Sequence, residues 1–470
     1  MKLSSEILGG LAMAGCAIAG TTPLRNVVYF DEYHKTILPN KNVTAGITHV
    51  VMAFANSSLF TAEVAGTFEP WMSVDQIRAM FDRGAQVGIA IGGWGDTAGF
   101  SAGAKTDASR KTYAQNVAKM VEENNFDFVD VDWEYPGGDG EDYKQIPNSN
   151  KTTEITTFPL FLREIKTAIT PKQLSIASPA RQPDMIAYTG YQAPEIFAAV
   201  DMVNLMTYDI MNRRDNKTLH HSSVKGSLEV VQRYLDLGLA PEKLNLGLAY
   251  YAKYFETPAN STCDHPIGCP IVKAENDDGT DAGTSGTVTY EYANVHPASP
   301  PNNLTATTDG TCGAGTFLTC SGYADGGCCS TAGYCGDTSA HCGLGCQSGY
   351  GKCTGPSLTS AYAKAIANGK LDEAEGGMWY WDSEANLFWT WDSADLMQRK
   401  FREIIAPLGL GGVMAWSLGE DSADWSHVET VNKNVKEMSA VVNVQGQKSH
   451  ARAERKLRGR VTRPHGRLFA

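Results

Sequence analysis

The sequence predicts an α/β fold, an eight-stranded parallel barrel with a long insertion after its seventh strand. Three observations lead there. Short apolar runs alternate with amphipathic helical stretches, the pattern of repeated strand–helix units. The runs are evenly spaced except at one long gap. Ten of the eleven Cys lie inside that gap, between Cys263 and Cys353.

The strand-like runs are Val27–Phe30, His49–Phe54, Val87–Ile91, Phe126–Trp133, Leu174–Ser178, Met202–Met206, Leu244–Tyr250 and Gly412–Trp416. Between them Thr112–Glu123, Phe158–Ala168 and Leu228–Leu237 carry the apolar spacing of amphipathic helices. Eight units suit a closed (β/α)8 TIM barrel. An open doubly wound sheet is the alternative, but no G-x-G-x-x-G follows the first strand to support a dinucleotide version. The first seven run centres lie 22 to 45 residues apart, and the eighth, near 414, is 167 residues beyond the seventh. Removing one ordinary unit leaves about 125 inserted residues. Within them Asn276–Gly286 and Pro297–Gly310 read as loops or linkers. Cys312–Cys353 packs eight Cys into 42 residues, too short a segment to fold on an apolar core without staples.

The expected organisation is a leader over 1–19 and barrel strands one to seven over 24–251. An α+β insertion domain follows over 252–308, is interrupted by the cysteine-dense module over 309–356, and resumes over 357–385. Barrel completion with strand eight occupies 386–445, and a basic disordered tail 446–470.

Composition narrows the function. With 42% hydrophobic and 20% charged residues the chain is ordinary globular protein rather than a disordered one. The net charge is −12, yet Ser449–Ala470 holds seven Lys/Arg against one Glu, which leaves −18 on residues 1–448. So acidic a body disfavours nucleic acid and anionic membrane as partners. The apolar run Ile7–Ala19 behind Lys2, ending in Ala17-x-Ala19, reads as a secretory signal, with a buried first helix as the alternative. Its removal with Cys16 leaves ten Cys, suited to disulfides outside the cell. Six N-x-[ST] sequons, at Asn42, Asn56, Asn150, Asn216, Asn260 and Asn303, point the same way. A soluble, extracellular protein is expected.

The most informative segment is Phe126-Asp-Phe-Val-Asp-Val-Asp-Trp-Glu-Tyr-Pro136. On a strand, Asp130, Asp132 and Glu134 share one face and Val129, Val131 and Trp133 the other. In a parallel barrel the carboxylate face would be the interior, rising to the C-terminal rim where such enzymes react. Three carboxylates so close cannot all ionise cheaply, so at least one is held protonated, as general acid catalysis at a glycosidic oxygen requires. An exposed acidic edge strand and a Mg²⁺ or Ca²⁺ site using Asp209 are the alternatives. The apolar opposite face disfavours the first, and the lack of further evident oxygen ligands the second.

Asp127-x-x-Asp130-x-Asp132-x-Glu134, followed by Tyr135-Pro136-Gly137, resembles the D-x-x-D-x-D-x-E signature of family 18 glycoside hydrolases, the chitinases. Ile89–Trp94 resembles that family's third-strand S-x-G-G-W, Met206–Asp209 its sixth-strand M-x-Y-D, and Gly412–Ser417 its eighth-strand G-x-M-x-W. The resemblance implies a chitinase, with endo action favoured, working by substrate-assisted retention. Glu134 would protonate the leaving oxygen while the sugar's own N-acetyl group attacks the anomeric carbon. Asp132 would orient that acetamido group, Asp130 would share charge with Asp132, and Tyr208 would hold the acetamido carbonyl. Trp416 would floor the cleft, with Tyr29, Gly93, Trp94, Tyr135, Met206 and Asp209 completing the sugar site. Ala90 departs from the pattern: it stands where the family usually has Ser, so Asp130 is expected to lack one hydrogen-bond donor, with Tyr29 still able to donate. The implied partners are chitin and chitin oligosaccharides; no cofactor, metal, nucleic acid or membrane is expected, and the enzyme should be a monomer. Two rivals are an inactive lectin, which would need Glu134 lost, and an endo-N-acetylglucosaminidase acting on glycoproteins.

The segment Cys312–Cys353 resembles a hevein-type chitin-binding module. Eight Cys allow 105 pairings by spacing alone. The resemblance implies Cys312–Cys329, Cys320–Cys335, Cys328–Cys342 and Cys346–Cys353; Cys263 and Cys269 remain to pair with each other. A zinc site is the alternative, disfavoured by secretion and by the adjacent Cys328-Cys329. For sugar binding the module keeps Ser330 and Tyr334, but Ala332 and His341 occupy two positions that are usually aromatic.

Overall fold

The computed structural model describes residues 23–440 except 64, 65, 297, 298, 331 and 356. The leader and the basic tail lie outside the described residues.

Eight parallel strands close into a barrel. Seven come first in the chain: β1 (Arg25–Asp31), β2 (His49–Ala55), β3 (Gln86–Gly92), β4 (Phe128–Asp132), β5 (Gln173–Ser178), β6 (Met202–Leu205) and β7 (Leu244–Ala249). Alternation sorts their side chains. Val27, Tyr29, Val51, Ala53, Ala90, Phe128 and Met202 point inward, while Val28, Phe30, Val50, Met52, Val129 and Val131 join the outer core under the helices. Phe128 plugs the lower barrel, and a Cβ at Gly88 would come within 2.6 Å of its ring, so that position must stay glycine. The helix Glu154–Ile169 shows the amphipathic logic: Phe158, Phe161, Leu162, Ile165 and Ile169 form its buried stripe.

Beyond β7 a second sheet forms. Strands β8 (Tyr251–Glu256), β9 (Ser285–Thr289), β10 (Lys370–Asp372), β11 (Gly377–Asp382) and β12 (Leu387–Trp391) pair antiparallel in the order β10-β11-β12-β8-β9. The expected boundary at 385/386 needs correction. β12 hydrogen-bonds between β8 and β11, so the insertion continues through Trp391 before the chain returns to the barrel. The final strand, β13 (Gly412–Trp416), then closes the barrel between β1 and β7.

β4 is shorter than the run Phe126–Trp133. Asp127 turns its carboxylate to the Val87 N–H and Arg78 at the barrel base, and Trp133 leaves the ladder to stack on Phe100, ring centroids 5.3 Å apart. Glu134 therefore sits two residues beyond the strand, at its rim.

Among the described residues the cysteine-dense segment has two-residue strand pairs, Thr305–Ala306 with Leu318–Thr319 and Cys328–Cys329 with Cys335–Gly336, and the short helix Ser339–Cys342. Disulfides hold it: Cys312–Cys329, Cys320–Cys335, Cys328–Cys342 and Cys346–Cys353 are bonded, and Cys263–Cys269 in the insertion. Its apolar clusters are mostly the cysteines themselves. No helix among the described residues is long and apolar enough to cross a membrane.

Candidate active site

Asp130 and Asp132 rise inside the barrel along β4. Asp130 is fully buried and saturated by donors: the Tyr29 hydroxyl at 2.7 Å, the Ser175 hydroxyl at 2.6 Å and the Asn204 amide at 3.2 Å. Asn245 donates to Asn204 at 2.8 Å, and Arg25 donates to Asn245 at 2.8 Å. A hydrogen-bonded chain therefore crosses from β1 through β7 and β6 to β4, where Ser175 of β5 joins it. Ala90 lies in register with Asp130, as the sequence implies. The expected loss of a donor does not leave Asp130 short, because Ser175 reaches it from β5. Ser175 and Asn204 were not among the sequence candidates. Their signal was available: each is a lone polar residue on the inward phase of an apolar run.

Asp132, one step up the strand face, is buried and its Oδ1 has no hydrogen-bond partner. Burial, then the charges of Glu134 and Asp130, push its carboxyl well above the usual range. Burial raises Asp130 as well, but its three donors pull it back. Burial thus pushes both carboxyls up, and of the two Asp130 has the donors that offset it. Glu134 is half-buried at the rim, and burial, reinforced by Asp209 and Asp184, raises its carboxyl to about 7.

Asp209 faces Glu134 from the loop after β6, at a left-handed φ of 52°. Burial alone would raise it, but Lys253 at 3.0 Å and the adjacent His221 hold it well below the usual carboxylate range. The Tyr251 hydroxyl donates to it at 2.8 Å. Lys253 and Tyr251 come from β8, so the insertion domain supplies part of the site.

These groups line a cleft of about 710 Å³. Asp132, Glu134, Tyr208 and Asp209 share its walls with Tyr29, Gly93, Trp94, Tyr135, Met206 and Trp416. Asp130 lies beneath rather than in the lining. Trp416 lines the cleft, stacked on Phe54 with ring centroids 5.5 Å apart and tilted against Tyr29 at 5.6 Å. Gly93 has φ +93°, and a Cβ there would meet the Phe54 ring at 2.9 Å. Trp94 is 48% exposed, and the Arg214 guanidinium lies over it at 5.8 Å and over Tyr143 at 4.1 Å. Arg214, Lys253, Phe54 and Asp184 were not foreseen; they come from separate strands and loops whose meeting no linear spacing encodes.

In the cysteine module Tyr334 is 57% exposed, as is Phe317, which was not foreseen. Ser330 is buried, and its hydroxyl is engaged with the Tyr334 backbone at 3.0 Å. The His341 ring packs on Gly336, within 2.5 Å of where a Cβ would stand, and bonds to Thr338 at 2.8 Å.

The sequence profile of Glycosyl hydrolases family 18 matches residues 25–421. The chain belongs to that family. This family 18 hydrolase is 25% identical over 275 residues to Chitinase 1 of Aphanocladium album, covering 49% of this chain and 61% of that protein. It is 27% identical over 239 residues to Probable chitinase 10 of Drosophila melanogaster, covering 47% of this chain and 10% of the other. The match thus spans less than two thirds of either relative. Among solved structures, the Ostrinia furnacalis Group II chitinase catalytic domain 2 superposes with TM-score 0.61 at 17% identity, over 88% of this chain and 97% of that domain. A Cycas revoluta chitinase mutant in complex with (GlcNAc)4 superposes with TM-score 0.57 at 18% identity, over 87% and 99%. At these identities the likeness shows a common fold. The hydrolase's barrel is that fold.

Proposed function

We propose that this hydrolase cleaves β-1,4-linked N-acetylglucosamine in chitin by substrate-assisted retention. The observation that carries the reading is the pairing of a partnerless, buried Asp132 Oδ1 with a Glu134 carboxyl raised to about 7. Glu134 is still half protonated at neutral pH, so it can give its proton to the leaving oxygen as the glycosidic bond breaks. Asp132 offers Oδ1 to the acetamido N–H, which turns the carbonyl oxygen toward the anomeric carbon to form the oxazolinium ring. Water then opens that ring and returns a proton to Glu134. Family 18 is an exception to schemes in which an enzyme carboxylate is the nucleophile. The Tyr208 hydroxyl, whose neighbour is the Met414 sulfur at 3.6 Å, is the group for the acetamido carbonyl. Trp416 offers an apolar face to the sugar ring.

The names of the relatives support chitin as substrate, and the (GlcNAc)4 complex of the Cycas protein supports oligomer binding in such a cleft. The cysteine module is assigned as a second chitin contact, through Tyr334, Ser330 and His341. Five disulfides support an extracellular protein, read here as a secreted monomer with a cleaved signal peptide and glycosylated sequons. The test is incubation with soluble chitin oligomers, with products identified by mass and their anomers by NMR. Shorter oligomers released first as the β-anomer are expected. Inverted products, or intact oligomers, would overturn the assignment.

A further inference from the structure

A second cluster of ligand-type groups lies under Trp416, outside the chemistry above. Asp31 ends β1, His34 follows in the next turn, and Glu420 lies just beyond β13. Ligand atoms from the three lie within 4.8 Å of one another. His34 Nδ1 is 2.8 Å from Asp31 Oδ1 and 3.6 Å from Glu420 Oε1, and His34 Nε2 is 3.9 Å from Glu291 Oε2. Ligand atoms around a single ion with bonds of about 2.0–2.2 Å stand roughly 3–3.5 Å apart, so small side-chain adjustments suffice.

Two features point to a ligand. Glu420 is 4% exposed, and its Oε2 has no hydrogen-bond partner, a costly state for a buried carboxylate. Asp31 is already oriented as metal-bound carboxylates usually are: its Oδ1 accepts the Tyr33 and His34 N–H groups at 2.9 and 3.0 Å, and its Oδ2 the Ser417 hydroxyl at 2.6 Å. The two loops already touch, since a Cβ at Gly419 would fall 1.6 Å from the His34 carbonyl oxygen.

We propose that Asp31, His34 Nδ1 and Glu420 bind one divalent transition ion, Zn²⁺ or Mn²⁺; Glu291 faces the other ring nitrogen and stays outside the ligand set. One imidazole nitrogen with two carboxylates suits such borderline ions better than Mg²⁺ or Ca²⁺, which take all-oxygen sets. The ion ties the loop after β1, which carries the cleft residues Glu32 and Tyr33, to the loop after β13, next to Trp416. Its role is to brace the cleft, not to take part in bond breaking. The sequence expectation of a metal-free protein weighed the acidic strand and the cysteine module, not this cluster. The competing occupant is a proton on His34, which would pair with the same carboxylates without any ion.

The test uses the full chain without a histidine tag, stripped with EDTA, dialysed against Zn²⁺ or Mn²⁺ and assayed for bound metal and thermal midpoint. One ion per chain and a raised midpoint are expected for the wild type. Glu420→Gln should lose the ion, and Ser417→Ala, which frees Asp31 Oδ2, should weaken binding about 10–100-fold. If Glu420→Gln fails to fold, Ser417→Ala together with the wild-type stoichiometry still decides. Wild-type protein that holds no ion at millimolar metal, or an ion whose affinity Ser417→Ala leaves unchanged, overturns the site. Neither readout depends on chitin turnover.

Discussion

The barrel and the cysteine module hold their key side chains by opposite means. In the barrel Asp130 is fixed by three neutral donors from three different strands, and none of the ten bonded cysteines lies on a barrel strand. In the module Tyr334 is presented by a fold with four disulfides and almost no apolar interior. A hydrogen-bonded interior can tune the acidity of what it holds, because low polarity strengthens every charge interaction. A cross-linked surface module can fix only shape. The chemistry proposed for the barrel and the adhesion proposed for the module follow that division.

The largest way to test the division is at the rim. Glu134→Gln keeps the shape of the side chain and removes only the transferable proton. Its kcat on chitin oligomers should fall by at least about 10²–10⁴-fold while oligomer binding, followed by calorimetry, persists. Near wild-type turnover would remove the acid from Glu134.

Reduction separates the two regions next. Losing the bridges of a small disulfide domain costs about 2–5 kcal/mol each, enough to unfold it. Cys263–Cys269, by contrast, sits among Phe255, Ile271, Trp379 and Phe388, and that core should survive reduction. Dithiothreitol should therefore abolish retention on insoluble chitin and leave turnover of soluble oligomers largely intact. Parallel loss of both would show the module to be part of the barrel's stability.

Within the barrel, Asn204→Ala removes one donor from Asp130 and the acceptor of Asn245. A loss of about 1–3 kcal/mol in urea unfolding is expected, the cost of leaving buried polar groups unpaired. The acidity itself is tested by pH. Hydrolysis needs protonated Glu134, so activity should decline as pH rises through about 7. Asp209 raises that carboxyl, so Asp209→Asn lowers it and the alkaline limb of kcat should move to lower pH. A limb that stays in place would mean Asp209 acts on the sugar alone.

The smallest expected effect is in the module. Ala332 is exposed, and Ala332→Trp should tighten chitin binding by about 0.5–1.5 kcal/mol if a sugar face lies there. Unchanged isotherms would place the sugar elsewhere, with Phe317 the next residue to replace.

The fold was legible because period-two alternation and strand spacing are local signals that survive in a one-dimensional string. The meeting of Asp132 and Glu134 was legible for the same reason, since the two-residue step along β4 carries Glu134 to the rim just past the strand's end. The β12 boundary was not. Leu387–Trp391 is an apolar run like any barrel strand, and only its pairing with β8 and β11 assigns it to the other sheet. Ser175 and Asn204 were readable in principle, as polar residues on the inward phase. Asp31 and Glu420 were not, because 389 positions separate them and only barrel closure brings them together.

That closure also constrains synthesis. β13 is the strand that seals the barrel, yet residues 250–411 must be made between β7 and it. At typical translation rates of about 5–20 residues per second, the ribosome needs roughly 8–30 s for that stretch. Throughout this interval β1 and β7 are open sheet edges, with ladder groups exposed to any other unpaired strand. The nascent chain must therefore be shielded along both edges while the disulfides of the intervening module form, and a truncation anywhere before Gly412 leaves those edges permanently unpaired.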